Sequence, residues 1–139
     1  MALEERLTRR FAPLRDDVLG VMLWGSAARG EDALTPQSDV DVCLVAGPNA
    51  DPVETLRRAW RTVDLDGFDH RVDLHAFEEL PRHLQGAVID ADHVLVTPDE
   101  PALYEYLYPY RKLWDDQRHR HELTHDEALE ILRRGGGEA

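Results

Sequence analysis

Two aspartates, Asp39 and Asp41, are separated by a single valine and followed by a run of apolar residues. In a β-strand, alternate side chains point to the same face, so both carboxylates should share one face about 7 Å apart. Neighbouring carboxylates are costly to desolvate unless a positive charge lies between them. A divalent cation that also binds phosphate oxygens would supply that charge. The pattern therefore indicates metal-assisted phosphoryl chemistry.

A glycine–serine turn precedes the aspartate pair. Gly25 and Ser26 follow an aliphatic run that ends at Trp24, and Arg29 comes one turn later. Glycine allows close approach of the backbone to a ligand, and the first amides of a helix are free donors to an anion. The same residues would also suit an ordinary capped turn. Their position shortly before two aspartates favours the interpretation as a phosphate-binding turn.

A third carboxylate, Asp73, lies in another predicted strand, where it alternates with Val72 and Leu74. If this strand neighbours the strand of Asp39 and Asp41, three carboxylates converge. Such a trio suits two metal ions that clamp the attacking and leaving oxygens. It equally suits one metal ion, with Asp73 as the general base for an acceptor hydroxyl. Asp73 is thus a candidate metal ligand and a candidate base.

The elements that must position these residues can be read from periodicity and from turn signals. Residues 3–14 are predicted to form an amphipathic helix, 18–24 a strand, 26–30 a short helical segment, 39–45 a strand and 51–63 a helix that Asp51 caps. Residues 71–77 are predicted to form a strand, 78–90 a helix and 93–97 a short strand. A long helix over 98–119, which Pro109 should kink or divide, precedes a short helix over 123–134 and a frayed tail. This order predicts an α/β or α+β fold, with a sheet covered by helices.

Composition narrows the function further. The 139 residues fit a single domain, 1–139, with a helical C-terminal segment at about 99–134. The net charge of −12 argues against a nucleic-acid partner, which would need a basic surface. A single cysteine, Cys43, excludes an internal disulfide and favours a cytoplasmic location. No apolar run is long enough to span a membrane, and the first residues do not form a secretory signal.

The motif formed by residues 25–30 and 38–41, Gly-Ser-Ala-Ala-Arg-Gly and Ser-Asp-Val-Asp, resembles the signature of the nucleotidyltransferase superfamily that includes polymerase β. More closely, the chain resembles the minimal nucleotidyltransferases, the MntA-type antitoxins of HEPN/MNT toxin–antitoxin pairs, over residues 18 to 108. The resemblance implies a small mixed sheet flanked by helices, ATP as substrate and one or two Mg²⁺ ions. It assigns the metal ligands and catalytic carboxylates to Asp39, Asp41 and Asp73. It assigns the nucleotide-binding residues to Gly25, Ser26, Arg29 and Ser38.

Antitoxins of this type adenylylate a tyrosine of a partner HEPN ribonuclease. We therefore expect an Mg²⁺-dependent transferase that moves AMP from ATP to a hydroxyl of a HEPN-type toxin. One alternative is transfer to a small-molecule hydroxyl, although a chain of this length leaves little room for a separate acceptor-binding domain. Another is an antitoxin that acts by binding alone, although such a protein gains nothing from three converging carboxylates. An aromatic stretch that includes Tyr106 and Trp114 could pack in the core or form a docking surface for the partner.

Overall fold

The computed structural model describes residues 2–138, with side chains for residues 2–120. These residues form four α-helices and four strands in the order α1 (Leu3–Phe11), β1 (Gly20–Trp24), β2 (Val40–Val45), α2 (Pro52–Thr62), β3 (Val72–Ala76), α3 (Arg82–Ala91), β4 (His93–Val96) and α4 (Glu100–Glu138). Short 3₁₀ segments lie at Ala12–Leu14, Gly25–Arg29, Glu31–Ala33 and Phe77–Glu79.

The strands form one sheet in the order β3-β2-β1-β4. The pairs β1–β2 and β1–β4 are antiparallel, whereas β2 and β3 run parallel. The sheet is therefore mixed, and the predicted α+β class, with a small mixed sheet flanked by helices, is confirmed. The parallel pair also places the two strands that carry the predicted site aspartates side by side.

Each face of the sheet packs against its own pair of helices. In β1, Val21 and Leu23 belong to a core shared with α1 and α2, whereas Met22 and Trp24 belong to a core shared with α3 and α4. This alternation is the period-2 pattern of a strand that is buried on both sides. Cys43, which shares the face of Asp41 on β2, is fully buried beneath α3 and α4.

Most boundaries agree with the sequence, and the differences have local causes. Asp51 caps α2 as predicted, because its carboxylate accepts the N–H groups of Val53 and Glu54. Regular helix α1 gives way to a 3₁₀ turn that contains Pro13, and α3 begins only after Pro81 rather than at residue 78. A proline has no N–H to donate and restricts the residue before it, which explains both shifts.

The division of the C-terminal region into two helices and a tail is wrong. Helix α4 is continuous from Glu100 to Glu138 and contains Pro109, and Ala139 lies outside the described residues. Proline removes one backbone donor, but Leu103 and Leu107 anchor the turns before it and Trp114 anchors the turn after it. Trp114 lies directly on Gly86 of α3, where an added Cβ would overlap the indole ring.

Along the apolar side predicted for the helix at 51–63, Ala59 is buried as predicted, whereas Val53 and Trp60 are exposed. In the aromatic stretch, Tyr106 is half-buried and donates to the Glu78 carboxylate. The exposed tyrosines there are Tyr104 and Tyr108. Among the described residues, no helix is long and apolar enough to span a membrane.

Candidate active site

The three predicted carboxylates lie at one end of the parallel strand pair. Asp41 and Asp73 are direct register partners on β2 and β3, which places them on strands about 4.8 Å apart. Asp39 comes just before β2 and is exposed. Burial increases along this face of β2, from exposed Asp39 through half-buried Asp41 to fully buried Cys43. The carboxylates therefore lie where the cover formed by α3 and α4 ends.

Asp41 is the electrostatic centre of this group. Burial raises the pKa of the Asp41 carboxyl above its ordinary value, and the negative charges of Asp73 and Asp39 raise it further. His75 opposes both effects, because its Nε2 lies 3.4 Å from Asp41 Oδ1. The raised pKa of Asp41 therefore reflects burial first and the two neighbouring carboxylates second, and His75 compensates these effects only in part.

The gathered charge fits a divalent cation, although the described side chains do not already form a three-ligand cluster of acidic, histidine or cysteine groups. One reason is that Arg71 Nε binds Asp73 Oδ1 at 3.0 Å and holds that carboxylate to its own strand. The Arg71 side chain is 76% exposed, so this ion pair is weak and can be exchanged for another partner. Mg²⁺ prefers oxygen ligands, and the carboxylates on these adjacent strands supply them without a full complement of positive charge around them.

Gly25 lies against Asp41. The register of β1 and β2 pairs Trp24 with Asp41, and the following residue turns away with a φ of +70°. A Cβ at residue 25 would lie 3.0 Å from Asp41 Oδ2. Glycine is therefore favoured twice, for the left-handed backbone and for the close approach of the carboxylate. The predicted turn meets one of the predicted carboxylates, Asp41.

Ser26 and Arg29 form the rest of the turn. The segment is a 3₁₀ helix of five residues anchored by buried Ala27, so it has free amides but little of the dipole of a long helix. Arg29 Nη2 donates to Ser26 Oγ at 3.1 Å. Arg29 is exposed and Ser26 is half-buried, so a cation and a hydroxyl stand together on the turn that follows Gly25.

Ser38 is the remaining predicted nucleotide-binding residue, and it takes part in a local turn. Its Oγ accepts the Thr35 N–H and lies 2.9 Å from the Thr35 hydroxyl, while its carbonyl oxygen is 3.1 Å from His70 Nδ1. These contacts shape the loop that leads into β2. Ser38 therefore helps to position Asp39, the next residue along the chain.

Two residues of the site were missed in the sequence. His75 shares the face of Asp73 by strand alternation, and it contacts Asp41 across the strands. Trp24 packs edge-on against His75, with ring centroids 5.5 Å apart. The parity of His75 with Asp73 was a usable signal. The contact with Trp24 depends on strand order, which local sequence does not specify.

Comparison with known proteins agrees with this geometry. Residues 7–101 match the family model described as polymerase beta, nucleotidyltransferase. A protein of Methanocaldococcus jannaschii named as a protein adenylyltransferase is 33% identical over 103 residues, which cover 74% of this chain and 75% of that protein.

Solved structures show the same fold. A structure titled as a mutant of the MntA toxin–antitoxin complex has a TM-score of 0.60 at 15% identity, covering 93% of this chain and 99% of that one. A toxin–antitoxin structure with AMP-PNP has a TM-score of 0.59 at 14% identity, covering 91% and 98%. Because the family model matches more than half of the chain and the Methanocaldococcus jannaschii relative is 33% identical, the chain belongs to the polymerase beta nucleotidyltransferase family.

Proposed function

We propose that this nucleotidyltransferase moves AMP from ATP to a hydroxyl of a HEPN-type toxin, with tyrosine as the expected acceptor, and thereby acts as an antitoxin. The observation that carries the proposal is the position of Asp41, flanked by Asp73 and Asp39 and pressed against the turn at Gly25. Carboxylates in contact with a glycine turn that has free amides are suited to nucleotidyl transfer, which needs groups that hold the metal ion and groups that hold the phosphates.

Each part of the site has a role in this reaction. The amides of the turn, with Ser26 and Arg29 at its rim, would hold the nucleotide phosphates and the departing pyrophosphate. Asp39, Asp41 and Asp73 would hold Mg²⁺, which when bound neutralises phosphate charge. The acceptor oxygen forms a bond to the α-phosphorus as the bond to pyrophosphate breaks. Asp73, once released from Arg71, would accept the hydroxyl proton.

The comparisons support a protein as the acceptor. The relative in Methanocaldococcus jannaschii is named as an enzyme that adenylylates protein, and the matching structures are of toxin–antitoxin complexes. ATP as the nucleotide is supported by the AMP-PNP in one of those structures. These are properties of the relatives, and we propose that this chain shares them.

The test uses the product of the adjacent gene as acceptor. The protein is incubated with that product, Mg²⁺ and ATP labelled either at the α- or at the γ-phosphate. We expect α-label, but no γ-label, on the partner, and none when EDTA removes the metal. The variant Asp39→Asn/Asp41→Asn should lose transfer, whereas Asp116→Asn, which changes an exposed carboxylate on α4, should retain it.

Other results would favour the alternatives. A stable complex that neutralises the toxin without any label would support an antitoxin that acts by binding alone. Label on a small hydroxyl compound, with none on the partner, would support the small-molecule transferase. Transfer of γ-label would contradict nucleotidyl transfer itself.

A further inference from the structure

His75 holds one oxygen of the central carboxylate. It lies on β3 in register with Cys43, on the same face as Asp73. Its Nε2 is 3.4 Å from Asp41 Oδ1, and both side chains keep about one third of their surface exposed. With the proton on Nε2, the imidazole donates to the carboxylate. The distance is long for a hydrogen bond, but such contacts at active sites often shorten when substrate binds.

The second oxygen of the same carboxylate faces the phosphate turn. Asp41 Oδ2 occupies the space where a side chain at Gly25 would begin. The terminal torsion of an aspartate is broad, so an unrestrained carboxylate would rotate between these two directions. A donor on Oδ1 limits that rotation and leaves Oδ2 directed at the turn. The two neighbours of Asp41 therefore act on different oxygens.

Trp24 holds His75 in turn. Its ring meets the imidazole edge-on, with planes inclined by 73°, and the indole is only 8% exposed. Trp24 is also the register partner of Asp41 on β1, so the three side chains occupy adjacent positions on one face. Among the described residues the indole Nε1 has no hydrogen-bond partner. The contact with His75 therefore depends on the shape and packing of the ring, not on its N–H.

We propose that His75, braced by Trp24, is a positioning residue that holds the Asp41 carboxylate in the orientation needed for metal and nucleotide binding. This inference rests on the proposed function and assigns it one further residue. Partners that orient ligating side chains typically change metal affinity or activity about 10- to 100-fold when they are removed. The same range is expected for loss of the imidazole donor.

The experiment compares two substitutions that separate donation from packing. His75→Phe keeps an aromatic ring against Trp24 but removes the N–H group that donates to Asp41. His75→Gln loses the ring that packs against Trp24 but keeps an amide N–H that can donate. Mn²⁺ alone is titrated into each variant and followed by the electron paramagnetic resonance signal of free Mn²⁺. AMP transfer is then measured with kcat and KM for the nucleotide determined separately, and thermal unfolding reports whether each variant is folded.

We expect His75→Phe to bind Mn²⁺ about 10-fold more weakly and His75→Gln to stay within about threefold of the parent. The KM for the nucleotide should rise with the Mn²⁺ dissociation constant, while the melting temperature of His75→Phe stays near that of the parent. A purely structural role would instead make His75→Gln, with the poorer packing, the weaker variant in every assay.

Asp41→Asn is the reference variant that distinguishes failure of the role proposed for His75 from failure of the carboxylate site itself. If His75→Phe binds Mn²⁺ as the parent does while Asp41→Asn does not, the positioning role is wrong and the site stands. If the parent and Asp41→Asn bind Mn²⁺ equally, the carboxylate site itself is wrong, and the role of His75 fails with it. Normal Mn²⁺ binding and a normal His75 effect, with no transfer to the partner, would reject only the proposed acceptor.

Discussion

Two carboxylates near opposite ends of β2 differ in how completely the folded chain satisfies them with hydrogen-bond donors. Near the C-terminal end, Glu78 accepts the backbone N–H groups of Ala46 and Gly47 at 3.2 and 3.0 Å, and the Tyr106 hydroxyl donates to it at 2.8 Å. At the other end, Asp41 contacts His75 at the longer distance of 3.4 Å, and two further carboxylates lie nearby.

The difference shows how structural and functional acids can be told apart. Glu78 has its negative charge matched by donors that belong to the folded chain, so it ties the end of β2 to α4 without any ligand. Asp41 is partly buried among like charges, and its pKa is raised because burial and Asp73 outweigh the help from His75. A carboxylate left in that condition by folding needs positive charge from outside the chain.

The largest expected effect on AMP transfer comes from removing the negative charge of Asp41. Asp41→Asn should lower AMP transfer by about 10³-fold, the scale of losing a preorganised electrostatic group in an active site. Because ionised Asp41 is disfavoured in the folded protein, the variant should unfold at the same temperature as the parent or at a higher one. Transfer assays and calorimetry check both points. A variant that loses stability along with activity would place Asp41 in the same class as Glu78.

Gly25→Ala should have the next largest effect, about 10-fold or more on transfer, because the new Cβ meets Asp41 Oδ2. The matched control is Gly30→Ala, which also carries a positive φ but has nothing within 4 Å of its Cβ. Backbone strain should cost about 1–2 kcal/mol of stability in Gly25→Ala. It should cost about 1–3 kcal/mol in Gly30→Ala, where φ is 115° and ψ is 156°. Only Gly25→Ala should lose most of its activity, and equal activity losses would show that the contact with Asp41 is unimportant.

The smallest effect on chemistry should come from the satisfied carboxylate. Glu78→Gln keeps the shape but turns an amide group toward backbone donors, which should destabilise the protein by about 1–3 kcal/mol. Denaturant unfolding measures this change. Below the unfolding transition, transfer should remain within about twofold of the parent. A large activity loss in the folded variant would mean that both ends of β2 contribute to the reaction.

Much of this site could be predicted because its residues are close in sequence to strong local signals. Strand alternation placed Asp39 and Asp41 on one face, and the glycine–serine turn marked where β1 ends. Whether Asp73 joins them depends on β3 lying beside β2, which the parallel register confirms. His75 was overlooked because a histidine in an alternating strand reads as an ordinary solvent-facing residue until its neighbouring strand is known.

The C-terminal region was predicted less well, for a related reason. Pro109 is a strong local signal for a break, but α4 is held on both sides of it by packing against residues far away in sequence. Ser38 illustrates the same limit at the site, because its hydroxyl accepts the Thr35 N–H in a turn that only the folded loop reveals.

The contact of Trp114 with Gly86 fixes how α4 lies on α3. Glycine lowers the helix propensity of α3, but its missing side chain allows the Trp114 indole to lie directly on the α3 backbone. From Trp114 the helix continues to Glu138, about 36 Å at 1.5 Å per residue. On a lever of that length, a tilt of about 10° at Gly86 would move the far end by about 6 Å. A single missing methyl group thus sets the direction of nearly two thirds of α4, the longest element that the structure describes.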